Sequence, residues 1–157
     1  MKILGIDPGI GRMGYGVIKK EAGKEVFIAA GLIETPAGLP HADRLLLLAV
    51  QLEKILRRHK PDIAAIESLF FAKNAKTALA VAEARGVAIL YCKKAGLAIE
   101  EHTPLQVKIA LTGYGRAEKF QVAAMTKKLL EMPSELVQDD TLDALALCLT
   151  CAASRRT

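Results

Sequence analysis

The chain has too few cysteines for a disulfide framework. There are three in 157 residues, Cys92, Cys148 and Cys151, and their irregular spacing suits a reducing compartment. No apolar stretch reaches the roughly 18 residues that span a bilayer, and no long polar tract marks disorder. The opening residues, Met1 to Gly5, bring no apolar signal core with a small-residue cleavage site behind it, so the expected location is the cytoplasm. Histidine is scarce: His41, His59 and His102 fall in segments that need not meet, and none is assigned a role. Cys148 and Cys151 spell CxxC, but no second CxxC or histidine cluster completes a zinc site. They read as small apolar residues on one helix face. No linker interrupts the chain.

What is present fits one compact domain over residues 1–157, since 52% of the residues are hydrophobic and 25% charged, enough for a single buried core. The net charge of +5 comes from 22 Lys and Arg against 17 Asp and Glu. Basic residues cluster at Arg57 to Lys60, Lys73 to Lys76, Lys93-Lys94, Arg116 to Lys119 and Lys127-Lys128, a pattern compatible with a polyanionic partner.

The periodicity is α/β. Lys2 to Asp7 is apolar on nearly every residue, as a central strand covered on both faces would be. Pro8 to Gly14 reads as a tight glycine-rich connection, Tyr15 to Lys19 as the second strand and Glu25 to Glu34 as the third, giving two antiparallel hairpins. Leu45, Leu48, Ala49, Leu52, Ile55 and Leu56 recur at helical spacing between Pro40 and Lys60, and Pro61 stops that helix. Asp62 to Glu67 is a buried strand reached by a helical crossover, hence parallel to the first. The next helix, about Asn74 to Lys94, carries two apolar stripes, Ala78, Leu79, Ala82, Ile89 and Leu90 on one and Val81, Ala84, Ala88 and Tyr91 on the other. A helix so apolar is covered on two sides; a second copy of the chain and the chain's own last helix are the two candidate covers, with Gly86 permitting close approach. Leu97 to His102 is the fifth strand, Thr103 and Pro104 open a short helix to about Leu111, a helix follows around Val122 to Leu130, and the last runs from about Asp139 to Ala153. The fold class is therefore α/β, a five-stranded mixed sheet with helices on both faces.

Polar residues that interrupt this pattern carry the chemistry. Asp7 and Glu67 end two strands expected to be parallel neighbours, and the alternation Ile3, Gly5, Asp7 and Ile63, Ala65, Glu67 puts both acids on one face at the carboxyl edge, where open α/β sheets bind ligands. On the last helix Asp140 and Asp143 lie one turn apart beside the core stripe of Leu142, Leu145 and Leu149. Asp139 is a candidate N-cap, yet it stands four residues before Asp143, so spacing alone leaves Asp139 and Asp140 both open. Carboxylates gathered in one pocket repel one another unless a cation offsets them. An all-oxygen site without His or Cys suits Mg²⁺ or Mn²⁺, and two such ions support attack of water on a phosphodiester. With those four acids set aside, 13 carboxylates remain against the 22 cations, a surplus of nine.

Taken in order, Gly5-Ile6-Asp7-Pro8-Gly9 with Gly14-Tyr15-Gly16, Ala65-Ile66-Glu67 with Ala72-Lys73-Asn74-Ala75, Ala84-Arg85-Gly86-Val87, and Asp140-Thr-Leu-Asp143-Ala-Leu-Ala resemble the RuvC family of crossover-junction endodeoxyribonucleases across essentially the whole chain. The resemblance implies a ribonuclease-H-like fold, a homodimer, Mg²⁺ dependence, and paired symmetric nicks in a four-way DNA junction (a Holliday junction) during recombination and repair. It also implies a branch-migration partner of the RuvA and RuvB type. By position it assigns metal-binding and catalytic roles to Asp7, Glu67, Asp140 and Asp143, and so selects Asp140 over Asp139. It places Phe70, as a base-stacking aromatic, and Lys73 near the DNA, although Phe70-Phe71 also reads as a core plug, and it puts Lys108 and Lys119 beside the scissile phosphate. Arg116 departs from the family, which carries a small polar residue there, and is read as a further phosphate contact. Three other readings stay open: a ribonuclease-H-like nuclease acting on RNA, a nucleotide-binding fold of the actin and sugar-kinase type, for which the chain is too short, and a junction-binding module without catalysis.

Overall fold

The computed structural model describes residues 1–68, 75–132 and 138–155, with backbone only at 75 and 76. Five strands, β1 (Lys2–Asp7), β2 (Arg12–Glu21), β3 (Lys24–Glu34), β4 (Ile63–Glu67) and β5 (Ala98–His102), form one sheet in the order β3-β2-β1-β4-β5. β1–β2 and β2–β3 are antiparallel, while β1–β4 and β4–β5 are parallel. The expected mixed sheet is thus present, with β1 and β4 at its centre.

The helices divide between the two faces. Helix α1 (His41–His59) and helix α2 (Ala75–Lys94) pack against each other and cover Leu4, Ile6, Ala64 and Ile66. Helices α3 (Pro104–Thr112), α4 (Lys119–Leu129) and α5 (Asp139–Ser154) cover the other face, where Ile3, Ile63 and Ala65 point. The strand alternation therefore sends Asp7 and Glu67 toward α5. Helix α1 buries Leu48, Leu52 and Leu56 and ends at Lys60, whose backbone is left-handed (φ 47°) just before Pro61. Thr103 caps α3: its hydroxyl accepts from Gln106 N at 3.1 Å and its own N–H donates back to Gln106 Oε1 at 2.8 Å, a reciprocal capping box.

Three expectations change. β2 begins at Arg12 rather than Tyr15, because Gly14 is a strand residue rather than a turn residue. A Cβ there would lie 2.1 Å from Asp140 O, and one at Gly5 would lie 1.9 Å from Ala144 O. These glycines let the α5 backbone rest directly on β1 and β2, so their job is close approach. The N-cap of α5 is Gln138, without a side-chain cap bond, and Asp139 is already helical. Finally, the chain's own last helix does not cover α2. Helix α5 lies on the opposite face, and Leu79 and Leu90 of α2 are 64% and 57% exposed.

Candidate active site

The register of β1 and β4, Ile6 opposite Ile66, carries Asp7 and Glu67 to the same edge of the sheet. Close seating of α5 over Gly5 and Gly14 then lowers Asp140 and Asp143 onto that edge. Carboxylate oxygens of Asp7, Asp140 and Asp143 lie within 4.8 Å of one another. Glu67 falls outside that triple, yet its charge acts on Asp7 and it feels the charge of Asp143. Asp7 is the group common to both relationships.

The electrostatics are unfavourable to ionisation. Burial first, then repulsion from Glu67, Asp143 and Asp140, raises Asp7 from 3.8 to about 8, with Lys119 opposing. Glu67 is raised by burial and by Asp143. Asp143 is also raised, chiefly by burial, even though Lys119 Nζ sits 2.8 Å from its Oδ2. That ion pair raises Lys119 in turn, so the two partners shift in the same direction. Burial of the carboxylate explains this: a mostly exposed lysine, 60% accessible at its side chain, cannot replace the water Asp143 has lost.

Among the other expected residues, Lys108 and Lys119 line a cleft of about 220 Å³ together with Glu67, Asp143, Val107 and Val122. Arg116 is exposed in the segment joining α3 to α4, outside the ion pairs of the acids. Phe70 and Lys73 lie outside the described residues. Two cations that sequence reasoning missed complete the surroundings. Arg12 places Nε 3.2 Å from Asp140 Oδ2 and donates to Gln138 Oε1 at 3.0 Å; its cue was a lone cation inside the glycine run after Asp7. Arg85 of α2 donates to the Glu67 carbonyl at 3.0 Å and pairs with Glu101 at 2.5 Å. It belongs to one of the quoted motifs, but nothing in spacing tied it to Glu67.

The sheet order, three antiparallel strands continued by two parallel ones, with an acid-bearing helix across one face, makes this a ribonuclease-H-like fold. Within that class the chain belongs to the RuvC family: residues 3–151 match the model of the family described as crossover junction endodeoxyribonuclease RuvC. It is 48% identical to the crossover junction endodeoxyribonuclease RuvC of Ruminiclostridium cellulolyticum, over 99% of this chain and 94% of that one. With the corresponding protein of Caldicellulosiruptor saccharolyticus the identity is 49%, over 95% and 90%. A solved structure of Thermus thermophilus RuvC in complex with a Holliday junction substrate matches with a TM-score of 0.92 and 32% identity, covering 98% of this chain and 94% of that one. Among the described residues no helix is long and apolar enough to cross a membrane.

Proposed function

We propose that this chain, acting as one domain over residues 1–157, is a metal-dependent endonuclease that resolves four-way DNA junctions, with Asp7, Glu67, Asp140 and Asp143 as its metal-binding and catalytic groups. The observation that carries this reading is Asp7, held at about 8 by burial and by three neighbouring carboxylates. A pocket that frustrated is relieved by a hard divalent cation. The donor set fits the group, since every ligand is an oxygen, as Mg²⁺ or Mn²⁺ prefers. When bound, one or two such ions would activate water and stabilise the leaving oxygen of a phosphodiester.

The chain's own residues supply the rest. Asp7 sits with Asp140 and Asp143 and feels the charge of Glu67, so it links the two halves of the ligand set. Lys119, on Asp143, and Lys108, across the cleft, present cations to a phosphate placed at the acids and offset charge that develops as the bond breaks. The surplus of Lys and Arg draws the DNA, with Arg116 as a further contact; Phe70 and Lys73 follow from the family motif. Such an enzyme acts in recombination and repair, in the cytoplasm, beside a branch-migration complex of the RuvA and RuvB type.

Symmetric paired nicks need two active sites, and α2 supports a homodimer. Leu79, Gly86 and Leu90 share one face of α2, both leucines are exposed, and a Cβ at Gly86 would meet nothing within 4 Å. We expect the wild type to sediment as a dimer at micromolar concentration and Leu79→Lys/Leu90→Lys as a monomer; a monomeric wild type would refute the dimer.

Cleavage of a four-way junction beside an RNA:DNA hybrid tests the activity. The expected result is Mg²⁺-dependent nicking of the junction that Asp7→Asn abolishes while junction binding persists. Preference for the hybrid would overturn the substrate, and unchanged cleavage by Asp7→Asn would overturn the site.

A further inference from the structure

Under the far end of α5, three side chains that are scattered in the sequence come together. Glu100 and His102, two residues apart on β5, face the helix, and Cys151 points down from its last turns. One ligand atom from each, a carboxylate oxygen, a ring nitrogen and Sγ, lies within 4.8 Å of the other two. Cys151 is fully buried and His102 is 7% exposed.

His102 is the informative member. Its Nε2 is buried and makes no hydrogen bond; Glu100 Oε2 stands 3.5 Å away, an electrostatic neighbour without hydrogen-bond geometry. A buried polar nitrogen left without a partner costs about 1–3 kcal/mol, and such a group in a folded protein calls for an explanation. Burial lowers the pKa of the ring against the pull of Glu100, which keeps it neutral, the form that ligates metals. Glu100 meanwhile is held in place: Arg155 Nε donates to its Oε1 at 2.5 Å and Ser154 Oγ to its Oε2 at 3.2 Å.

We propose that Glu100, His102 and Cys151 form a second metal site, for Zn²⁺ or a divalent cation of similar softness, separate from the acidic pocket. Sulfur, imidazole nitrogen and one carboxylate oxygen are the donors Zn²⁺ takes and Mg²⁺ avoids. Three protein ligands leave a fourth position for water, on the side where the Glu100 side chain is 24% exposed. Zinc bonds of about 2.0–2.3 Å put ligand atoms about 3.3–3.8 Å apart, so spacings that nowhere exceed 4.8 Å need close by no more than about 1–1.5 Å, a movement within reach of Glu100, the least buried of the three. On binding, the Cys151 thiol gives its proton to solvent and the thiolate takes the metal. The ion would clamp β5 to α5, and since His102 lies opposite Glu67 in the sheet register, it would brace the strand beside the active-site edge.

Co²⁺ titrated into the full-length chain under excess Mg²⁺ tests this, because a cobalt–thiolate charge-transfer band cannot come from an all-carboxylate pocket. The wild type should bind a single Co²⁺ with that band, displaced by Zn²⁺. Asp7→Asn and Cys92→Ala should keep it, Cys151→Ala should lose it, and Glu100→Gln should weaken Co²⁺ binding at least about tenfold, the effect of disturbing even an outer-shell partner. No band in the wild type, or an unchanged band in Cys151→Ala, overturns the site. Should Cys151→Ala fail to fold, Glu100→Gln, altered at a partly exposed position, decides it: Zn²⁺ must raise the Tm of the wild type more than that of the variant, and an equal rise overturns the proposal.

Discussion

The two ends of α5 both bury ionisable groups against the sheet, with opposite results. At its N-terminal end Asp7, Glu67 and Asp143 are all raised, burial being the largest cause for each. At its C-terminal end burial also pushes Glu100 upward, but hydrogen bonds from Arg155, Cys151 and Ser154 outweigh it and leave the group lowered. Burial alone therefore does not decide the outcome; the supply of partners does. Of the pocket's four carboxylates, Lys119 and Arg12 form ion pairs with only Asp143 and Asp140, and both are largely exposed, so most of the carboxylate repulsion stands. Sequences keep unrelieved conflict of that kind where a ligand resolves it.

The sharpest way to break the comparison is to remove the central acid. The folded chain holds a proton on Asp7 up to about pH 8, whereas the unfolded chain releases it near 3.8. Between those values the native state binds more protons, so without divalent metal stability falls as pH rises, by up to about 1.4 kcal/mol per pH unit. Asp7→Asn cannot ionise. In EDTA at pH 8 it should melt above the wild type, with the gap shrinking toward pH 4, and Mg²⁺ should stabilise the wild type more than the variant. A wild-type Tm in EDTA that stays level over this range would show that the repulsion is already relieved.

A smaller effect is expected at Arg85, which holds the Glu67 carbonyl from the opposite face of the sheet. It touches no reacting group, so its role is positioning. Arg85→Met should lower kcat for junction cleavage by up to about 10²-fold, the scale of a misplacement near 1 Å, with KM unchanged and partial recovery in Arg85→Lys. A change confined to KM would place Arg85 in DNA binding instead.

How far each end could be read beforehand follows from the same contrast. Helix α1 was legible because Leu48, Leu52 and Leu56 repeat at helical spacing and are buried. The meeting of Asp7 with Glu67 was legible because strand alternation and a parallel crossover both point to one edge. Asp140 and Asp139 were indistinguishable by spacing, since either can pair with Asp143 on a helix. Gly14 looked like a turn because a lone sequence does not show the helix backbone pressed against it. Arg12, Arg85 and the contact of His102 with Cys151 stayed hidden for a common reason. Each joins side chains of different elements, and local periodicity carries no information about such pairs.

The smallest test separates the ends by function. Lys20 of β2 donates from Nζ to the carbonyls of Ala152 and Arg155, at 2.7 and 2.9 Å, so a cation satisfies acceptors that the last turn of α5 leaves open. Lys119 holds a comparable place at the other end, but on a carboxylate of the cleft. Lys20→Met should cost about 0.3–1 kcal/mol, less in high salt, and leave junction cleavage as in the wild type. Lys119→Met should cost little stability, because its lysine is mostly exposed, yet lower cleavage. If Lys20→Met slowed cleavage as much as Lys119→Met, α5 would be transmitting strain from one end to the other, and the division into an end whose carboxylate has its partners and one whose carboxylates lack them would have to give way to a single coupled unit.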